Sequence, residues 1–148
     1  MPRPDSAQLS ALYQEMILDH YRRPRNKGTL ENADASVEMK NPLCGDEIAL
    51  QVAFDGENIR DVKFSGRGCS ISQASASMMT QLLKGKTRAE IESIRARFRD
   101  LMLGAADASD ELGPLRSLSG VARFPARVKC ALLAWNALES ALALKPAE

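Results

Sequence analysis

Four positions in this sequence have the chemistry of a metal site or a sulfur nucleophile: Cys44, Asp46, Cys69 and Cys130. The chain holds 3 cysteines. An odd number of thiols, behind an N-terminus without an apolar leader, argues against a disulfide framework and for ligands or nucleophiles. Cys44 lies in Asn41-Pro42-Leu43-Cys44-Gly45-Asp46, a turn leading into a strand, and Asp46 adds a hard oxygen donor two residues on. Cys69 lies in Ser65-Gly66-Arg67-Gly68-Cys69-Ser70, a glycine-rich strand-to-helix turn. Unpaired N–H groups and the positive end of a helix dipole favour thiolate there. Cys130 falls inside the last helical segment. Three thiolates and one carboxylate make a tetrahedral set that zinc accepts, with sulfur at about 2.3 Å and oxygen at about 2.0–2.2 Å. Iron accepts the same ligands, so ligand type does not choose the metal. Spacing alone leaves a plainer reading open, three unrelated buried cysteines, since there is no Cys-x-x-Cys pair and free cysteine is among the most buried residues.

The elements that must position these residues follow from periodicity. Leu9, Leu12, Tyr13, Met16, Ile17 and Tyr21 recur at helical spacing from about Ser6 to Tyr21, with Asp5 or Ser6 as the cap and Pro24 as the stop. Ile48, Leu50, Val52 and Phe54 alternate with period two, Asp55-Gly56-Glu57-Asn58 signals a turn, and Val62 and Phe64 alternate again. A weaker strand near Ser36 to Lys40 completes a three-stranded antiparallel meander covered on one face. A helix is expected after Cys69, with Ile71, Ala74, Met78 and Leu82 inward. Thr87 and Glu90 form a capping box for the next, lined by Ile91, Ile94, Phe98, Leu101 and Met102 and closed by Gly104. Pro125 opens the last helix, whose stripe is Val128, Ala131, Trp135, Leu138 and Leu142. Cys130 lies off that stripe, among Ala134, Ala137 and Ala141, where a cysteine serving only as a small hydrophobe is less expected. The fold class is therefore α+β: an N-terminal helix, a small antiparallel three-stranded sheet, then helices packed on one face, as a single domain over 1–148.

Composition narrows the function classes. Net charge is +1 and aromatics make up 5% of the residues, which gives no electrostatic or stacking reason to expect nucleic acid or an anionic membrane. No apolar run approaches the roughly 20 residues of a membrane span, so a cytoplasmic location is the default. His20 sits on the apolar side of its helix and reads as a hydrogen-bonded core histidine. The basic turn Arg22, Arg23, Arg25 and Lys27 reads as solvated, with a docking patch as the alternative.

At the level of motifs, the chain resembles the IscU/SufU family of iron–sulfur cluster assembly proteins, the NifU N-terminal-like scaffolds. Leu12-Tyr13-Gln14-Glu15-Met16-Ile17-Leu18-Asp19-His20-Tyr21 with Pro24-Arg25-Asn26-Lys27-Gly28 is similar to the family's first helix and turn. Asn41-Pro42-Leu43-Cys44-Gly45-Asp46 and Gly66-Arg67-Gly68-Cys69-Ser70-Ile71-Ser72 are similar to its two cysteine loops. Lys129 stands where IscU proteins have histidine, and Phe124-Pro125-Ala126-Arg127-Val128-Lys129-Cys130 replaces their Leu-Pro-Pro-Val-Lys motif. A SufU-type insertion around 105–121 precedes it. The resemblance thus points to the zinc-dependent SufU branch and implies one zinc held by Cys44, Asp46, Cys69 and Cys130. It implies a sulfurtransferase: a SufS-type pyridoxal-phosphate cysteine desulfurase gives a persulfide to Cys44, freed when a desulfurase histidine replaces it on the metal. The sulfur then passes to a SufBCD-type scaffold. Arg127 is expected to orient Asp46 or stabilise the thiolate-rich site. The rivals are an IscU-like scaffold that assembles a [2Fe–2S] cluster on the same ligands and a purely structural zinc domain.

Overall fold

The computed structural model describes residues 6–42 and 44–144, with side chains from residue 10 onward. The cap expected at Asp5 or Ser6, the Leu9 side chain and Leu43 lie outside the described residues. Helix α1 (Ser6–Arg22) is followed by β1 (Ala35–Asn41), β2 (Asp46–Asp55) and β3 (Asn58–Arg67). Then come α2 (Ser70–Leu83), α3 (Arg88–Met102), a 3₁₀ segment (Asp110–Arg123) and α4 (Pro125–Leu144). The α+β order expected from the pattern is the one observed.

The sheet is an antiparallel meander in the order β1-β2-β3. Asn41 pairs with Asp46 at one hairpin end and Asp55 with Asn58 at the other. Ile48, Leu50 and Val52 are buried as alternation requires, but a register shift between Ala53 and Phe54 interrupts it. That bulge buries Ala53 and leaves Phe54 only half-buried, so the strict period of two ends one residue early. The chain after α1 covers the β3 edge: the Gly28 N–H donates to the Phe64 carbonyl at 2.8 Å, and the Phe64 N–H to the Asn26 carbonyl at 3.0 Å.

Three helices depart from the amphipathic reading. Helix α4 packs against β1, β2 and α2, and its buried residues include Cys130, Leu133, Ala134 and Ala137 as well as the expected stripe. Its buried face is wider than that stripe, leaving Lys129, Asn136 and Glu139 exposed on the far side. Lying off the stripe therefore does not place Cys130 away from the core. Helix α2 is buried continuously from Ser72 to Thr80, polar residues included. Ser75 donates to the Ala131 carbonyl at 2.6 Å and receives the Trp135 indole N–H at 3.2 Å, which fixes α2 against α4. On α1 the inward face carries His20, while Leu12 and Tyr21 of the expected stripe are 55% and 45% exposed. His20 Nδ1 meets Ser77 Oγ at 2.8 Å, so a polar contact sets the rotation of α1 on α2.

Helix α3 behaves as its sequence demands. Thr87 and Glu90 form the reciprocal capping box, and Ile91, Ile94, Phe98, Leu101 and Met102 are its buried residues. Its end is a Schellman closure: Gly104 at φ 74 donates to the Leu101 carbonyl at 3.2 Å, and Ala105 to that of Asp100 at 2.8 Å. The 3₁₀ segment, kinked at Gly113 (φ 52, ψ −126), buries Leu112, Leu115, Leu118 and Val121. Among the described residues no helix is long and apolar enough to cross a membrane.

Candidate metal centre

Four separate elements deliver four side chains to one end of the sheet. The β1–β2 loop turns on Gly45, whose φ of 67 favours glycine. The Cys44 N–H donates to the Asn41 carbonyl at 3.2 Å, which sets the half-buried Cys44 beside the strand end. Asp46 opens β2 and is 1% exposed. Its Oδ1 accepts the Cys69 backbone N–H at 2.8 Å, leaving Oδ2 facing the thiols. Cys69 is the N-cap residue of α2, just outside the helix. Cys130 reaches the same place from α4, and its Sγ lies 3.2 Å from Cys44 Sγ.

One ligand atom from each of Cys44, Asp46 and Cys130 falls within a common 4.8 Å. The Cys69 thiol stands 3.9 Å from Asp46 Oδ2, at the edge of that group of three. Tetrahedral zinc with bonds near 2.3 Å needs ligand atoms about 3.8 Å apart. The donor set fits a tetrahedral zinc or iron, with three donors gathered, the pinned Asp46 supplying the oxygen and Cys69 adjoining it as the fourth.

The electrostatics point the same way. Burial pushes the Cys130 thiol well above its ordinary value, and hydrogen bonds with Cys44 and Asp46 push it further. Without a cation this end of the molecule keeps Cys130 protonated; a metal must displace that proton to bind. The exposed Arg127 guanidinium hydrogen-bonds Cys130 and is attracted to Cys69, Cys130 and Cys44, so it holds its own proton more tightly. Its interactions are with the three thiols.

The chain matches the family described as NifU-like N terminal domain over residues 12–144. It belongs to that family. It is 51% identical over 139 residues to the zinc-dependent sulfurtransferase SufU of Bacillus subtilis, covering 93% of this chain and 94% of that protein. It is 44% identical over 137 residues to the iron–sulfur cluster assembly scaffold protein IscU of Streptococcus pyogenes, covering 92% and 86%. Among solved structures, a candidate iron–sulfur cluster assembly scaffold for the SUF system from Fervidobacterium islandicum superimposes with a TM-score of 0.83 at 41% identity, covering 93% and 99%.

Against this NifU-like frame, each side chain singled out in the sequence has a definite place. Cys44, Asp46, Cys69, Cys130 and Arg127 come together; His20 does not, being held against Ser77 on the far part of α2. Half of the basic turn is spent internally. Arg25 pairs with Asp19 at 2.7 Å and Arg23 pairs with it too, and these cations, Arg25 first, hold the Asp19 carboxyl below its ordinary value.

Two site residues escape the sequence reading. Asn41 is buried, and its Nδ2 lies 3.9 Å from Cys130 Sγ; its signal is the hairpin register that sets it opposite Asp46. Gly68 is the other. A Cβ there would stand 2.3 Å from Asp46 Oδ1 and 2.7 Å from Ser72 Oγ, so only glycine leaves room for the carboxylate.

A groove of 810 Å³ opens beside the site, between α1 and the 3₁₀ segment. Tyr13, Ile17, Ile71 and Val121 line it, and Cys69, Arg123 and Arg127 reach it at the site end.

Proposed function

We propose that this chain is a zinc-dependent sulfurtransferase of iron–sulfur cluster assembly in the cytoplasm. In this reading it accepts sulfur on Cys44 as a persulfide and passes it to the assembly scaffold. The donor is a SufS-type pyridoxal-phosphate cysteine desulfurase, and the recipient is a SufBCD-type scaffold. The observation that carries the reading is the unequal anchoring of three clustered thiols. Cys130 is fully buried and Cys69 is tied to the Asp46 carboxylate, whereas Cys44 rides a half-exposed loop hinged at Gly45. A thiol on such a loop can leave the metal without unfolding the strands or helices that hold the others. The likeness to the Bacillus subtilis sulfurtransferase, and Lys129 at the position before Cys130, support the same assignment.

Cys44, Asp46, Cys69 and Cys130 would hold the zinc. Bound there, the metal keeps its thiol ligands deprotonated near neutral pH. Asp46, pinned by the Cys69 N–H, stays in place when Cys44 departs. Arg127 offsets the negative charge that collects on the three thiols. The segment 105–121 is, in this reading, an insertion particular to the sulfurtransferase branch; its buried leucines brace α3 and α2 behind the groove.

The test is metal content of protein purified without added metal, together with stimulation of a cysteine desulfurase by wild type and by Cys44→Ala. One tightly bound zinc, with stimulation lost in the mutant, is the expected result. Iron with labile sulfide, or undiminished stimulation by the mutant, would instead favour the scaffold reading carried by the Streptococcus pyogenes relative.

A further inference from the structure

The site has two approaches. Cys44 is reached from the β1–β2 loop and does not line the groove, whereas Cys69 and Arg127 do. The groove is cationic and apolar together. Arg123 and Arg127 stand in it, no aspartate or glutamate lines it among the described residues, and Arg123 has no carboxylate partner among them. Phe124, between the two arginines, is 61% exposed on its rim. Exposed aromatics and arginines around an apolar floor are the composition of a protein-recognition site rather than of an idle surface. The α1 side, from Ser10 to Ile17, runs about 10 Å, the span of about three extended residues.

We propose that this groove seats an extended acidic and apolar peptide segment, with a cysteine, of the protein that takes sulfur from this chain. The proposal rests on the persulfide reading of Cys44. Charge complementarity selects the segment: its carboxylates meet Arg123 and Arg127, and its apolar side chains cover Tyr13, Ile17 and Phe124. Arg127 links the two approaches. Its guanidinium is drawn to all three thiols and also lines the groove. A persulfide on Cys44 carries its charge on the outer sulfur, and Arg127 steers that sulfur toward the groove. There the acceptor thiol passes its proton to that outer sulfur and, as thiolate, attacks it. A new S–S bond forms to the acceptor, the old one breaks, and its electron pair returns to Cys44 as thiolate. The acceptor leaves as R–S–SH, with no external oxidant or reductant. Donor and acceptor thus use different faces of one site.

The test uses the full zinc-loaded chain and two synthetic probes. One is a fluorescein-labelled pentapeptide of one cysteine, two aspartates and two leucines; the other has lysine in place of aspartate. Fluorescence anisotropy reads binding, and mass spectrometry reads the extra sulfur atom on Cys44 before and after peptide is added. The acidic peptide should bind more tightly than the basic one. Arg123→Glu should weaken it at least about fivefold and Arg123→Lys much less, the difference between replacing one exposed charge contact by a repulsion and keeping it. Unloading of Cys44 should slow in parallel. Equal binding of both peptides, or undiminished binding by Arg123→Glu, would overturn the proposal. So would unloading by mercaptosuccinate as fast as by the peptide, which would make the occupant a small acidic thiol. Failure of wild-type Cys44 to gain sulfur would defeat the persulfide reading instead, with the binding arm still deciding the groove.

Discussion

The substitution that tests the site most directly is Gly68→Ala, because it replaces no proposed ligand and acts on one only by crowding it. Gly68 has φ 155, where an L side chain is strained, and the added Cβ would lie 2.3 Å from Asp46 Oδ1 and 3.0 Å from the Asp46 Cα. Backbone strain of this kind costs about 1–3 kcal/mol. Overpacking a closed interior adds about 1–3 kcal/mol. The molecule has two ways to respond. If the backbone holds, the Asp46 carboxylate swings away, loses the Cys69 N–H and leaves the thiols without their oxygen partner. If Asp46 holds, the Gly68–Cys69 turn shifts and carries the Cys69 thiol out of reach. Metal binding weakens either way. Gly45→Ala is the control, since that position has φ 67 but nothing within 4 Å of the new Cβ. It should cost only about 1–2 kcal/mol of strain. The assay is zinc stoichiometry after competition with a chelator, beside thermal unfolding of the same samples. Gly68→Ala should lose most of its zinc and Gly45→Ala should keep it. Wild-type zinc retention by Gly68→Ala would refute the packing of Asp46 beneath Gly68.

Other expectations follow from the same contacts. Arg127→Ala removes an exposed side chain, so unfolding free energy should move by no more than about 0.5 kcal/mol, while sulfur acceptance on Cys44 falls several-fold; matched losses in both would argue for a merely structural arginine. Chelating the metal should loosen the Cys44 loop and lower the melting temperature without unfolding the sheet, because strands and helices share a core independent of the site; hydrogen exchange that speeds up across all of β2 and β3 would contradict this. His20 gives a pH signature. Burial, then the Arg25 charge, lowers its proton affinity in the folded state, against a weaker opposing pull from Asp19. The unfolded chain therefore binds the extra proton first, and the His20 contribution to stability is full above about pH 6.5 and is lost as pH falls below it. Melting temperatures of wild type and His20→Gln measured from pH 7.5 to pH 5 should converge as pH falls; a constant offset would show that His20 does not titrate in this window.

How much of this was legible in the sequence depended on how far apart the interacting residues lie. Helix α3 was readable in full, since its cap, stripe and closing glycine all act within a turn or two. The strands were readable to the Ala53 bulge, beyond which pairing with β3, rather than alternation, decides which side chain turns inward. The rotation of α1 was not readable: Leu12 looks like a core residue until the His20–Ser77 contact, spanning 57 positions, turns the neighbouring face of Ile17 and His20 inward. Of the site, the ligand types and their loops were visible, whereas Gly68 and Asn41 matter only through an Asp46 carboxylate and a Cys130 thiol brought there by the fold. The stripe argument for Cys130 failed physically because the buried face of α4 is wider than the stripe and takes in Cys130, Ala134, Ala137 and Ala141.

Packing also bears on how the proposed ligands are distributed. Cys130, fully buried on α4, and Asp46, at the start of the central strand, are the least exposed of the four. Cys69 sits at a helix end whose geometry Asp46 itself pins. Cys44 is carried by the β1–β2 loop, between two strands that pair up to Asn41 and Asp46 and no further. A site meant only to staple the fold has no need for one ligand on a hinge. A site that must release a thiol while keeping its metal needs three ligands on fixed elements and one on a movable segment. In the proposed reading the chain divides them in that way, with Arg127 beside the three thiols to offset the charge they collect.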